Sequence, residues 1–97
     1  MKIYISGPIT GHPLNEVIRS FSEAEERLQE QGYDTVNPLH NGLPATSSWE
    51  AHMRADLKLL LECDSIYLLK GFRSSKGAMI EFELAKHLGY NITYQVK

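Results

Sequence analysis

No disulfide can form within this chain, because Cys63 is its single cysteine. Lying next to an apolar run, it reads as a buried thiol. A basic run is also missing: ten Lys and Arg stand against twelve Asp and Glu, for a formal net charge of -2. That balance argues against polymeric DNA or RNA as a partner and leaves a single nucleotide open. The four histidines, His12, His40, His52 and His87, show no ligand spacing with cysteine or aspartate, so neither a metal nor a cofactor is expected. No apolar run is long enough to span a membrane. The residues after Met1 lack the apolar core of a secretion signal, which predicts a cytoplasmic protein. Repeats, low-complexity tracts and linkers are absent, so residues 1–97 are expected to form one small domain with a single core.

What is present is concentrated between Ile66 and Ala85. Ile66-Tyr67-Leu68-Leu69 reads as a short buried strand, and Gly71 to Ser75 as a turn whose Ser74 or Ser75 can cap a following helix. A strand, a small-residue loop and a helix start bring free backbone N–H groups together, an arrangement suited to anions. At roughly 100° per residue, Ala78, Phe82, Leu84, Ala85 and Leu88 share one apolar arc, and Glu81 falls inside it. Glu83, Lys86 and His87 take the opposite face. A glutamate facing a core is either paired, at the wall of a pocket, or at the stripe's edge with its carboxylate in water.

In chain order, Lys2 to Ser6 reads as a first strand, followed by the loop Gly7-Pro8-Ile9-Thr10-Gly11. Its two glycines let backbone come close to a ligand, but the loop is neither a Walker A loop nor GxGxxG and by itself reads as a tight turn. Asn15 to Gln31 is an amphipathic helix with Leu14, Val17, Ile18, Phe21, Ala24 and Leu28 at helical spacing, ended by Gly32. Tyr33 to Val36 is a second strand, stopped by Asn37-Pro38. Leu39 to Ser47 is a long polar loop, either a cover for a site or a plain connection. Ser47-Ser48-Trp49-Glu50 resembles a capping box. The helix from Trp49 to about Glu62 puts Trp49, Met53, Leu57, Leu60 and Leu61 on its apolar side, with Asp56 among them. Asp56 is thus a second inward carboxylate, either functional or capping a buried N–H. Ser65 to Leu69 and Ile92 to Val96 complete the strands.

The order βαβαβαβ predicts an α/β fold: a small doubly wound, flavodoxin- or Rossmann-like parallel sheet of four or five strands, order 2-1-3-4, with helices on both faces. Its switch point falls between strands 1 and 3, where the Gly7–Gly11 and Gly71–Gly77 loops meet.

Taken together, Tyr4-Ile5-Ser6-Gly7-Pro8, Asp56, Asp64, Ser75-Lys76-Gly77 and Glu81 with Ala85 resemble the nucleoside 2-deoxyribosyltransferase superfamily, most closely a short bacterial and phage branch. The resemblance spans nearly the whole chain. It implies Glu81 as a nucleophile at the anomeric carbon, Tyr4 as the residue orienting it, and Asp56 as the group meeting the nucleobase. It implies substrate contacts from Ser6, Gly7, Pro8, Ile9, Asp64, Gly71, Ser75 and Gly77. The substrate would be a nucleoside or nucleotide, and the assembly a homodimer or larger. Ser75, six residues before Glu81, is what the 5-monophosphate N-hydrolases carry, whereas the nucleoside transferases carry Asp there. Two positions depart from the pattern: Glu83 replaces a glycine, and Thr10 stands where the hydrolases have arginine. A catalytically silent nucleotide sensor and a dinucleotide-cleaving relative are the competing expectations.

Overall fold

The structure is a computed structural model that describes residues 1–96. Alternation in the first and third strands decides which residues face which helices. In β1 (Lys2–Ser6), Ile3 and Ile5 point to one side and Tyr4 and Ser6 to the other. In β3 (Ser65–Leu68), Ile66 and Leu68 share the side of Tyr4, while Tyr67 and the following Leu69 share the side of Ile5. The parallel sheet has order β2-β1-β3-β4, with β2 at Asp34–Val36 and β4 at Asn91–Tyr94. Tyr4 lies beside Val36 on one edge and Ile66 on the other, and Ile66 lies beside Ile92. The predicted α/β class and strand order are those observed.

Helix α1 (Leu14–Glu30) packs Val17, Phe21, Ala24 and Leu28 on the Ile3–Ile5 face. Helices α2 (Trp49–Leu61) and α3 (Lys76–His87) cover the other face with Leu60, Ala78, Phe82 and Ala85. Helices therefore lie on both faces. Every residue on the α3 face of β1 is pressed toward α3, which is what brings Tyr4 and Ser6 to Glu81. Cys63 is buried, as its setting predicts.

Several boundaries and faces differ from expectation. β4 begins one residue earlier and ends at Tyr94, because Gln95 bonds back to Leu68 and closes the pairing; Val96 is exposed. Ser48, not Ser47, caps α2, its hydroxyl accepting from the Ala51 N–H at 3.1 Å. Short 3₁₀ turns at Pro38–His40 and Phe72–Ser74 fill loops read as irregular. Leu61 and Leu88 sit at helix ends beyond the sheet and are exposed rather than core. Leu14 and Ile18 follow helical spacing but are 60% and 47% exposed, because they border a cavity rather than the sheet. Among the described residues, no helix is long and apolar enough to cross a membrane.

Gly7 also lets β1 leave the sheet against β3: a methyl group there would lie 2.7 Å from both Cβ and Cδ1 of Leu69. Since Cβ of Leu69 cannot swing away, backbone must shift. Gly7→Ala is expected to cost about 1–3 kcal/mol, read as a melting temperature lower by roughly 4–8 °C per kcal/mol. An unchanged melting temperature would contradict this packing.

Candidate active site

Glu81 sits one turn into α3, on the helix face pressed against β1, and is 5% exposed. Both its oxygens are held by hydroxyls from one strand. Tyr4 Oη donates to Oε2 at 2.7 Å, and Ser6 Oγ donates to Oε1 at 2.7 Å. These lengths suit charge-assisted bonds to an ionised acceptor. Among the described residues no cation pairs with Glu81. Burial pushes its carboxyl up to about 7; the Ser6 and Tyr4 hydrogen bonds oppose that rise, and the neighbouring Asp56 adds to it. Burial, with Glu81 beside it, also holds the Tyr4 hydroxyl well above its ordinary range, so Tyr4 remains a donor. Its ionisation therefore falls near neutrality.

Glu81 opens onto a cavity of about 450 Å³ at the carboxyl ends of the strands. The loop after β1 supplies Gly7, Ile9 and Thr10. The start of α3 supplies Ser75 and Gly77, and α2 supplies Trp49, Met53 and Asp56. Ser75 caps α3, accepting from the Ala78 N–H at 3.2 Å. Gly77 keeps the wall thin: a methyl group there would come 3.1 Å from Met53 Sδ and 3.8 Å from Trp49 Nε1. Leu14 and Ile18, partly exposed on α1, form an apolar rim. Among the described residues the lining contains neither lysine nor arginine. Lys76 lies outside it, with Nζ 4.8 Å from the Trp49 ring centroid.

Asp56 is 6% exposed. Its Oδ1 accepts from Asn41 Nδ2 at 2.9 Å. Burial raises its carboxyl above the ordinary aspartate range, against the hydrogen bond from Asn41 and the neighbouring His52. The Leu39–Ser47 loop does cover the site: Leu39, Asn41, Leu43, Ala45 and Ser47 all line the cavity.

Of the residues singled out in the sequence, Glu81, Asp56, Gly7, Ile9, Ser75 and Gly77 meet at this cavity. Tyr4 and Ser6 lie behind it and act on Glu81. Pro8 and Gly71 stand just outside and face each other, a methyl group at Gly71 lying 3.4 Å from Pro8 Cγ. Asp64 is a correction. It precedes β3 and so lies at the amino end of the parallel strands, away from the cavity; there it accepts from the Lys2 N–H at 3.1 Å and the Ser65 hydroxyl at 3.0 Å. Its role is to fasten β1 to β3. Glu83 points away from the cavity toward Lys86 and His87, as its helical position predicts. Sequence reasoning missed Asn41 and His52. His52 precedes Asp56 by four residues and so shares its helix face, a usable signal; Asn41, in an irregular loop, offered none.

A doubly wound parallel domain with a hydroxyl-clamped glutamate at its crevice defines the class of this protein. The chain belongs to the family described as "Domain of unknown function (DUF4406)", which it matches over residues 1–94. Its fold is nucleoside 2-deoxyribosyltransferase-like. The 2-deoxyribosyltransferase of the psychrotolerant bacterium Bacillus psychrosaccharolyticus superposes with a TM-score of 0.75 at 23% identity, over 97% of this chain and 71% of the other. A search of curated proteins returns no match.

Proposed function

We propose that this protein cleaves the N-glycosidic bond of a 2-deoxynucleoside or its 5-monophosphate through a covalent glycosyl ester on Glu81. The observation that carries the reading is the buried, cation-free Glu81 carboxylate, held on both oxygens and open to a cavity that also presents Asp56. In the first step a Glu81 oxygen forms a bond to the anomeric carbon. The carbon–nitrogen bond breaks, and its electron pair leaves with the base, which takes a proton from Asp56. In the second step Asp56 accepts a proton from water, or from an incoming base, as that group attacks the same carbon and restores Glu81. Such two-carboxylate logic is that of retaining glycosidases. The fold likeness to a 2-deoxyribosyltransferase supports the substrate class.

Two features bear on the sugar's 5-position. Ser75 at the start of α3 suits a phosphate, whereas the absence of lysine and arginine from the described lining suits a neutral hydroxyl. The test is base release, followed by chromatography, from each of the four deoxynucleosides and their 5-monophosphates, with and without a second free base. Glu81→Ala is expected to lower release by at least about 10³-fold. Full turnover in that variant would overturn the mechanism. Tight binding of one compound without any release would mark a nucleotide sensor instead.

A further inference from the structure

Asn41 joins the loop over the cavity to α2 through bonds whose directions can all be read. The Leu43 N–H can only donate, and it lies 3.0 Å from Asn41 Oδ1. The amide nitrogen of Asn41 therefore faces α2, where it is 2.9 Å from Asp56 Oδ1 and 3.0 Å from His52 Nδ1. The carbonyl of Pro44 can only accept, and it lies 3.1 Å from His52 Nε2, so that nitrogen carries the hydrogen. His52 Nδ1 is then free to accept, and the two N–H bonds of the Asn41 amide are both used. The loop that the ring anchors thus holds both of its nitrogens, Nε2 against Pro44 and Nδ1 against Asn41.

The consequence falls on Asp56. Its Oδ1 must remain an acceptor while Asn41 donates to it. Among the described residues Oδ2 makes no hydrogen bond and is not sealed from solvent, so it is open to the cavity. We propose that Asn41 is a positioning residue that confines the Asp56 proton to Oδ2, on the cavity side, with His52 locking the Asn41 amide in the orientation this requires. The proposal rests on the reading of Asp56 as proton donor to the leaving base. A proton on Oδ1 would break the Asn41 bond and face away from the departing group. The titratable groups facing Asp56 are His52 on its own helix, Glu81 from α3 and Tyr4 from β1. None of the three is a group that donates to Oδ1.

Two variants separate proton placement from loop closure. Asn41→Ala removes every bond. Asn41→Asp keeps an oxygen for the Leu43 N–H and loses both N–H donations. The first readout is the carboxyl titration of Asp56 by carbon NMR in the ligand-free protein. Removing a donor to the charged form raises the midpoint, by about one pH unit in Asn41→Ala and further in Asn41→Asp, where a second carboxylate faces the first. The second readout is base release: kcat falls about tenfold in both variants with KM within about threefold, and the alkaline limb moves upward with the titration. Amide exchange at Leu43 should stay slow in Asn41→Asp and quicken in Asn41→Ala. An Asp56 midpoint and kcat like the parent's in both variants would overturn the proposal. So would a fall in kcat confined to Asn41→Ala with the midpoint unmoved, which would leave Asn41 a loop anchor only. If the parent protein releases no base from any compound, the glycosidase reading fails, while the titration arm still decides what Asn41 does to Asp56.

Discussion

Glu81→Gln is expected to stabilise this protein above neutral pH. In the folded chain the Glu81 carboxyl keeps its proton up to about 7, whereas in the unfolded chain a glutamate releases it near its ordinary value. Between those two points the folded state binds more protons. Its advantage is fully present below the unfolded value and is lost as pH rises through the folded one. At about 1.4 kcal/mol per unit the loss amounts to about 3 kcal/mol. Glutamine cannot ionise. Its side-chain oxygen can accept from one of the two hydroxyls, and its amide can donate to the other. Chemical denaturation at about pH 5 and about pH 8 should then show a stability decline in the parent that is nearly absent in Glu81→Gln, with the melting temperature at the higher pH raised by roughly 10 °C or more. A parallel decline in both proteins would mean that Glu81 is ionised without penalty despite its burial. The same substitution should abolish base release. Gaining stability while losing activity is what distinguishes a functional carboxylate from a structural one.

The features that could be read in advance were those set by periodicity. Helical spacing over Ala78–Leu88 placed Glu81 on a buried face, and the succession of strands and helices along the chain gave the strand order. The same spacing put Asp56 among core residues. It could not say that Trp49 and Met53, which share that face, border a cavity and not a filled core, because a wall and a core have one pattern. Leu14 and Ile18 failed for a related reason: they keep the stripe's spacing but line the cavity rather than the sheet. Asp64 was carried by resemblance alone, and the topology of a parallel sheet overrules it, since the cavity lies at the carboxyl ends of β1, β2 and β3 and Asp64 precedes β3. Asn41 was beyond reach. Its bonds to Asp56 and His52 depend on how a nine-residue loop, 39–47, folds over α2, and no period governs that.

Ser6→Ala and Tyr4→Phe should each move the ionisation of Glu81 upward. Both hydroxyls donate to the charged form at 2.7 Å, and a donor to a carboxylate lowers its proton affinity, so removing one raises it. Each bond of this kind corresponds to about one pH unit or somewhat more. Ser6 opposes the burial of Glu81 more strongly than Tyr4 does, so Ser6→Ala should give the larger shift. In the proposed mechanism Glu81 must be ionised to attack, so the acid limb of base release should follow. Activity at about pH 7 should fall about tenfold in each variant. The double variant should shift the limb furthest, since its carboxylate would have neither cation nor hydroxyl to hold a charge. A limb that stays in place in both single variants, with activity lowered evenly at every pH, would mean that the hydroxyls orient Glu81 without setting its charge. Ser6 lies two residues beyond Tyr4 on β1, so the strand's own period of two aims both donors at one side chain on α3. A frame that supplies two oriented O–H groups and no cation can hold a carboxylate charged enough to attack and leave it free to bond to carbon. A lysine or arginine in the same place would bind that charge too firmly to give it up.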